Sequence, residues 1–101
     1  MSYEQAVSAM LAIDGVEEST MMKTPCLRFR GEFLGMMFDK ADALIVKLPP
    51  ERVSELIEEG AGLEFNFTKK RFKEWVLIPL EYQDDYRSFL MEALRYAQAR
   101  A

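Results

Sequence analysis

The 101-residue chain has no histidine and a single cysteine, Cys26. Without histidine it lacks the commonest general acid–base and the commonest transition-metal ligand. One thiol cannot close an internal disulfide, and no Cys/His cluster offers a structural zinc site. A reducing, cytoplasmic setting is therefore expected. No apolar run reaches the roughly 20 residues that a membrane-crossing helix needs. The opening MSYEQAV has neither the basic segment nor the apolar segment of a secretory signal. Phosphate-cradling glycine loops, serine–histidine pairs and calcium-loop spacing are missing too. These absences exclude most nucleophilic, zinc and nucleotide chemistry, and neither a cofactor nor a metal is expected. There are no repeats, low-complexity segments or linkers, so residues 1–101 read as one domain.

What remains is a good core and an acidic balance. Half of the residues are hydrophobic, the net charge is −4 and the pI is about 4.9. That charge argues against broad attraction to nucleic acid or to a lipid surface. A local basic patch is still compatible with it, because exposed charges more than about 8–10 Å apart are largely screened at cellular salt.

Periodicity predicts the elements. Ser2 and Gln5 form a capping box for a helix over 3–13, with Tyr3, Val7, Met10 and Leu11 on one face. CLRFR alternates, placing Leu27 and Phe29 on one side and Arg28 and Arg30 on the other. Gly31-Glu32 reads as a two-residue hairpin loop, FLGMMFD as the return strand and ALIVKL as a third strand after the turn 39–42. TMM before Pro25 is a possible extension of the sheet. Pro49-Pro50 opens a second helix, PERVSELIEEG, whose glutamates form its solvated face. LEFNFT and WVLIPL make a second hairpin, with TKKRFKE as its connection. In the last helix Tyr86, Phe89, Leu90, Ala93, Leu94 and Ala97 form an apolar stripe. Burying Phe89, Leu90 and Leu94 should contribute about 1.5–3 kcal/mol each. The expected fold is α+β, in the order α-β(3)-α-β(2)-α, an antiparallel sheet with helices on one face.

The run GEFLGMMFDKADALIVKLPPERVSELIEEGAGLEFNFTKKRFKEWVLIP resembles the small bacterial and archaeal domains related to the TfoX N-terminal domain and to MmcQ/YjbR. The carrying pieces are KLPPERVSELIEEG and KEWVLIP, in that order, followed by a Y-x-x-F-L-x-x-A-L helix. The resemblance spans roughly residues 20–98 and implies a fold shared with type III secretion chaperones. It implies no settled activity: the TfoX group includes a regulator of DNA competence, and the YjbR group has been suggested to bind DNA. GMMFD departs from the methionine-phenylalanine-glycine-glycine motif often found in the TfoX group.

The most conspicuous local feature is TKKRFKEW. Lys69, Lys70, Arg71 and Lys73 are candidate phosphate contacts, Phe72 is a candidate stacking platform, and Arg28, Arg30 and Lys47 on the meander would extend the patch. The simpler reading, a solvated hairpin connection, carries more weight because four cations are few for tight binding on an acidic domain. Trp75, the one tryptophan, reads chiefly as packing and secondarily as part of a binding surface. Lys47 can snorkel over apolar surface. Met36 and Met37 read as core, or as a partner surface if they face outward. Cys26 has no partner to activate it. A Glu74–Lys47 pair is the one enzyme-like combination. The function expected is a non-enzymatic interaction module, binding a protein partner or its own copy on the open sheet face or at a sheet edge. The alternative is a nucleic-acid-binding module using residues 69–73 and the meander arginines.

Overall fold

A computed structural model describes residues 2–21, 23–67 and 70–100, and for 66, 67 and 70–72 the backbone alone. Helix α1 (Tyr3–Leu11) starts from the expected capping box. The Ser2 hydroxyl accepts from the Gln5 amide at 3.2 Å, and the Gln5 side chain accepts from the Ser2 amide at 2.9 Å. Four strands follow: β1 (Val16–Met21), β2 (Thr24–Phe29), β3 (Glu32–Phe38) and β4 (Ala43–Lys47). Helix α2 (Pro50–Glu59) leads to β5 (Leu63–Phe67) and β6 (Lys70–Pro79). A 3-10 segment, Leu80–Asp85, precedes α3 (Tyr86–Arg100).

All strands join one antiparallel sheet in the order β1-β2-β3-β4-β6-β5. The α+β class and the one-sided helices are as the periodicity predicts. The strand count before α2 is not, because β1 brings it to four. VEESTM carries four consecutive polar residues, and three of them are exposed. An edge strand needs few apolar groups, so alternation gave little sign of it.

Several boundaries also move. α1 stops at Leu11 rather than residue 13. The β2–β3 loop is Arg30-Gly31, not Gly31-Glu32: Phe29 pairs with Glu32, and the two loop residues have φ of 48° and 90°. Two positive φ values in a two-residue loop match the twist of the flanking strands. Arg30 is thus a turn residue and does not share a strand face with Arg28. The second hairpin connection shrinks in the same way. β6 begins at Lys70, so Lys70 to Glu74 are strand, while Thr68 and Lys69 lie outside the described residues.

The main core lies between the helices and one sheet face. Leu27, Phe29, Leu34, Leu44, Val46, Leu48, Val76 and Ile78 meet the α3 stripe, all of it buried as expected. The buried Tyr86 hydroxyl donates to the Ile78 carbonyl at 3.0 Å. A bulge in β3 adjusts the fit. Leu27 pairs with Gly35 and Arg28 with Phe33, leaving Leu34 without an opposite residue. Leu34 and Gly35 therefore both turn toward the helices, and Phe33 and Met36 both turn away. A methyl group on Gly35 would sit 2.8 Å from the Ile45 carbonyl and 2.8 Å from a Leu90 methyl, so glycine permits the close approach of α3.

Candidate interaction face

The other side of the sheet has its own apolar cluster. Cys26 from β2, Phe33 and Met36 from β3, Ile45 from β4 and Phe65 from β5 are each at most 5% exposed. Met21, Phe38, Trp75 and Leu77 pack around them, half-buried. Among the described residues no helix covers this side. The burial comes from rings lying across the strands. Phe33 stacks on Trp75 with centroids 4.7 Å apart, Phe65 lies 5.4 Å from Trp75, and Phe38 meets Phe65 edge-on at 5.7 Å. β3 and β5 are three strand spacings apart in the sheet order, about 14 Å if the sheet were flat. Ring contact over that span requires the sheet to curl toward this face.

The β5–β6 pairing supplies part of the bend. Glu64 pairs with Val76 and Asn66 with Arg71, so residues 72–75 lie opposite the single Phe65. Bulges of this kind bend a strand and increase its twist.

The open platform expected from the pattern is thus smaller than the pattern suggests. Its middle is a second core closed by side chains alone. Leu63, whose strand partner is Leu77, is 55% exposed, and the half-buried Trp75, Leu77, Phe38 and Met21 complete the apolar surface. Met36 is buried within this second core, and Met37 is half-buried against the main one. The alternation of LEFNFT places Leu63 and Phe65 alike. In the structure Phe65 is enclosed between the Trp75 and Phe38 rings, whereas Leu63, on the same edge strand, has no ring over it among the described residues and is exposed.

The candidate polar residues are arranged around the cluster. Lys47 pairs across the strand with Trp75, and its ammonium lies 3.6 Å from Glu32. That pair is partly solvent-exposed and adds little to stability. Arg28 donates to the Gly31 carbonyl at 3.1 Å, bracing the hairpin turn. Arg30 is the exception: it lies exposed, with its guanidinium carbon 5.3 Å from the centroid of the Phe29 ring, which belongs to the main core on the helix side. Lys73 is exposed. Burial pushes the Cys26 thiol above its ordinary pKa, while the neighbouring Arg28 guanidinium pulls the other way. The net rise keeps it protonated, so it is not an activated nucleophile.

Strand direction gathers the cations that are scattered in the sequence. β2 and β4 finish, and β3 and β6 begin, at the same end of the sheet. Arg28, Arg30, Lys47 and Lys73 lie there, with the backbone of Lys70 and Arg71. Lys69 lies outside the described residues, as do the side chains of Lys70, Arg71 and Phe72.

The Glu74–Lys47 pair does not assemble. Glu74 faces the helices, where it accepts from the Tyr96 hydroxyl and, at 3.2 Å, from Arg100. The bond to Glu74 raises the Tyr96 pKa, with burial as the second cause. Among the described residues no three His, Cys, Asp or Glu side chains converge on a metal position, and no helix is long and apolar enough to cross a membrane. Two depressions of about 350 Å³ lie elsewhere, along α3 by Arg87 and Arg95 and at the start of α1 by Tyr3 and Met37.

Sequence reasoning did not find Phe33, Phe38, Phe65 and Leu63 as parts of one surface. The β3 bulge shifts the alternation within FLGMMF, and the ring contacts come from curl, which no spacing encodes. Comparison with protein-family models, with curated proteins and with solved structures finds no match to this chain.

Proposed function

We propose that this domain is a small non-enzymatic interaction module that binds a protein partner through the helix-free face of its sheet, around Leu63, Trp75 and Leu77. The observation that carries the reading is the one-sided packing. The three helices lie against one side, while an apolar surface on the other meets water with no described helix over it. Exposed apolar surface grouped in this way marks interaction sites more often than chance placement does. A cytoplasmic location goes with the reading, supported by the lone free thiol. The motif resemblance to TfoX N-terminal and MmcQ/YjbR domains belongs to the same proposal and is compatible with it.

A photo-crosslinking residue at position 63 tests the idea in extract of the host cell. It should yield adducts with a protein partner, and the same residue at the exposed position 54 on α2 should not. Equal labelling from both positions, or from neither, removes the proposal.

One observation favours a second reading. Arg28, Lys47 and Lys73 share one end of the sheet, beside the aromatic cluster, which suits a phosphate backbone and stacked bases. Fluorescence anisotropy with single- and double-stranded DNA should then report binding that weakens steeply as salt rises. Absence of binding at low salt, or unchanged binding by Arg28→Ala/Lys73→Ala, rejects this second reading.

A further inference from the structure

We infer that the depression beside the start of α1 is a second site, which takes an ammonium group carried on an aliphatic chain. Four parts of the fold meet around its space of about 350 Å³: α1 through Tyr3 and Glu4, β2 through Pro25, β3 and the turn after it through Met37 and Asp39, and the 3-10 segment through Leu80. The other depression is lined by α3 alone. At about 30 Å³ per water the space equals roughly ten waters, enough for a chain the length of a lysine side chain. Tyr3 and Met37 pack on the main core, so the site belongs to the helix side of the sheet and is separate from the Trp75 face.

Its floor is apolar and its rim is acidic. Leu80 is 43% exposed, Pro25 is exposed, and Met37 and Tyr3 are half-buried, so an aliphatic stem has surface to cover there. Glu4 and Asp39 are exposed carboxylates of the lining. Glu18 also acts on the Tyr3 phenol, which places its charge close by. Asp42, Glu81, Asp84 and Asp85 are exposed on the adjoining segments. The neighbouring cations are Lys23, Lys40 and Arg87; the carboxylates outnumber them, and none of the three lines the space. The positive end of α1 does not reverse the balance, because its capping box is complete and Glu4 stands in its first turn. Carboxylates alone would only gather solvent ions. The cleft adds walls on which a stem can rest while its charged head stays at the wet rim, as long cationic side chains do. A few polar groups converging on an apolar floor, beside a phenol whose pKa burial raises, are the ordinary marks of a small-ligand site.

Two sources carry this chemistry: a free aliphatic amine, and a lysine side chain of another protein. Amide NMR titration of the whole chain separates them. Pentylamine and N-acetyl-lysine amide should each give saturable shifts at Tyr3, Met37 and Leu80. Pentanoate, with a like stem and the opposite charge, should not. The Kd should rise with ionic strength. Asp39→Asn and Glu4→Gln should each weaken pentylamine binding about two- to five-fold, the range for an exposed ion pair. Glu58→Gln, on the exposed side of α2, should leave it unchanged. Tighter binding of the blocked lysine assigns the site to a protein side chain and tighter binding of pentylamine to a free amine; either supports the inference. No saturable shifts, an equal response to pentanoate, or unchanged binding by the Asp39→Asn/Glu4→Gln double variant overturns it. None of these results bears on crosslinking at position 63, so the two sites stand or fall separately.

Discussion

The substitution Gly35→Ala probes the packing that separates the two faces of the sheet. Its new methyl would lie 2.8 Å from the Ile45 carbonyl oxygen and 2.8 Å from a Leu90 methyl. Ordinary carbon contacts are about 3.5–4.0 Å, so each must open by roughly an ångström. The Leu90 side chain can rotate, but it is fully buried against the sheet. The Ile45 carbonyl belongs to β4, which is held by β3 on one side and β6 on the other. Over-packing of this kind costs about 1–3 kcal/mol. Replacing glycine within a strand returns about 0.5–1 kcal/mol through the unfolded chain. The expected net loss is about 1–2 kcal/mol, a fall in Tm of roughly 4–16 °C for a domain of this size. Urea unfolding followed by the fluorescence of Trp75 measures it directly. A double-mutant cycle with Leu90→Ala adds a sharper test. The cavity made by Leu90→Ala removes one of the two clashes, so the two losses should sum to more than the double variant shows. A Gly35→Ala protein as stable as the parent, with additive behaviour in the cycle, would refute the close approach of α3. It would also refute the bulge that turns Phe33 and Met36 onto the helix-free side.

Three further outcomes follow from the same geometry. Tyr86→Phe should destabilise by about 0.5–1.5 kcal/mol, since a buried hydrogen bond to the Ile78 carbonyl is lost; a change within error in urea unfolding would show that bond to be unimportant. Burial raises the Tyr3 pKa to about 12, a hydrogen bond to the Met37 backbone opposing the rise. The folded protein thus holds that proton above pH 10, where the unfolded chain releases it. Its stabilising contribution is complete below pH 10 and is lost as pH rises to about 12. Tyr3→Phe should therefore flatten the fall in unfolding free energy between pH 10 and 12 relative to the parent, and parallel curves would contradict the assignment. Cys26 should react with a disulfide reagent only as fast as the sheet opens, because its thiol is buried and its pKa raised. Rapid stoichiometric labelling of the native protein would mean that the aromatic cluster does not enclose it.

Much of the candidate site was legible as residue types but not as a site. Arg28, Lys47 and Trp75 stand on alternating positions whose facing can be read along each strand. That they share one end of one surface depends on strand order, with β6 inserted between β4 and β5. Arg30 was misassigned because a positive-φ turn beginning at arginine looks like the last residue of an alternating strand. The pairing of Glu74 with Tyr96 and Arg100 joins residues 22 and 26 positions apart, a separation at which local periodicity carries no information.

The sequence by itself determined the helices, the capping of α1, the α3 stripe and the one-sided amphipathic packing of an antiparallel sheet. These follow from periods of 3.6 and 2 and from proline and glycine at boundaries, all local physics. Only the tertiary structure decided that the helix-free side closes into a second core. Curl in the sheet and bulges at Leu34 and opposite Phe65 bring rings from β3, β5 and β6 into contact. Such contacts arise from long-range strand order and accumulated twist, which depend on the whole sheet and on no short window of the chain.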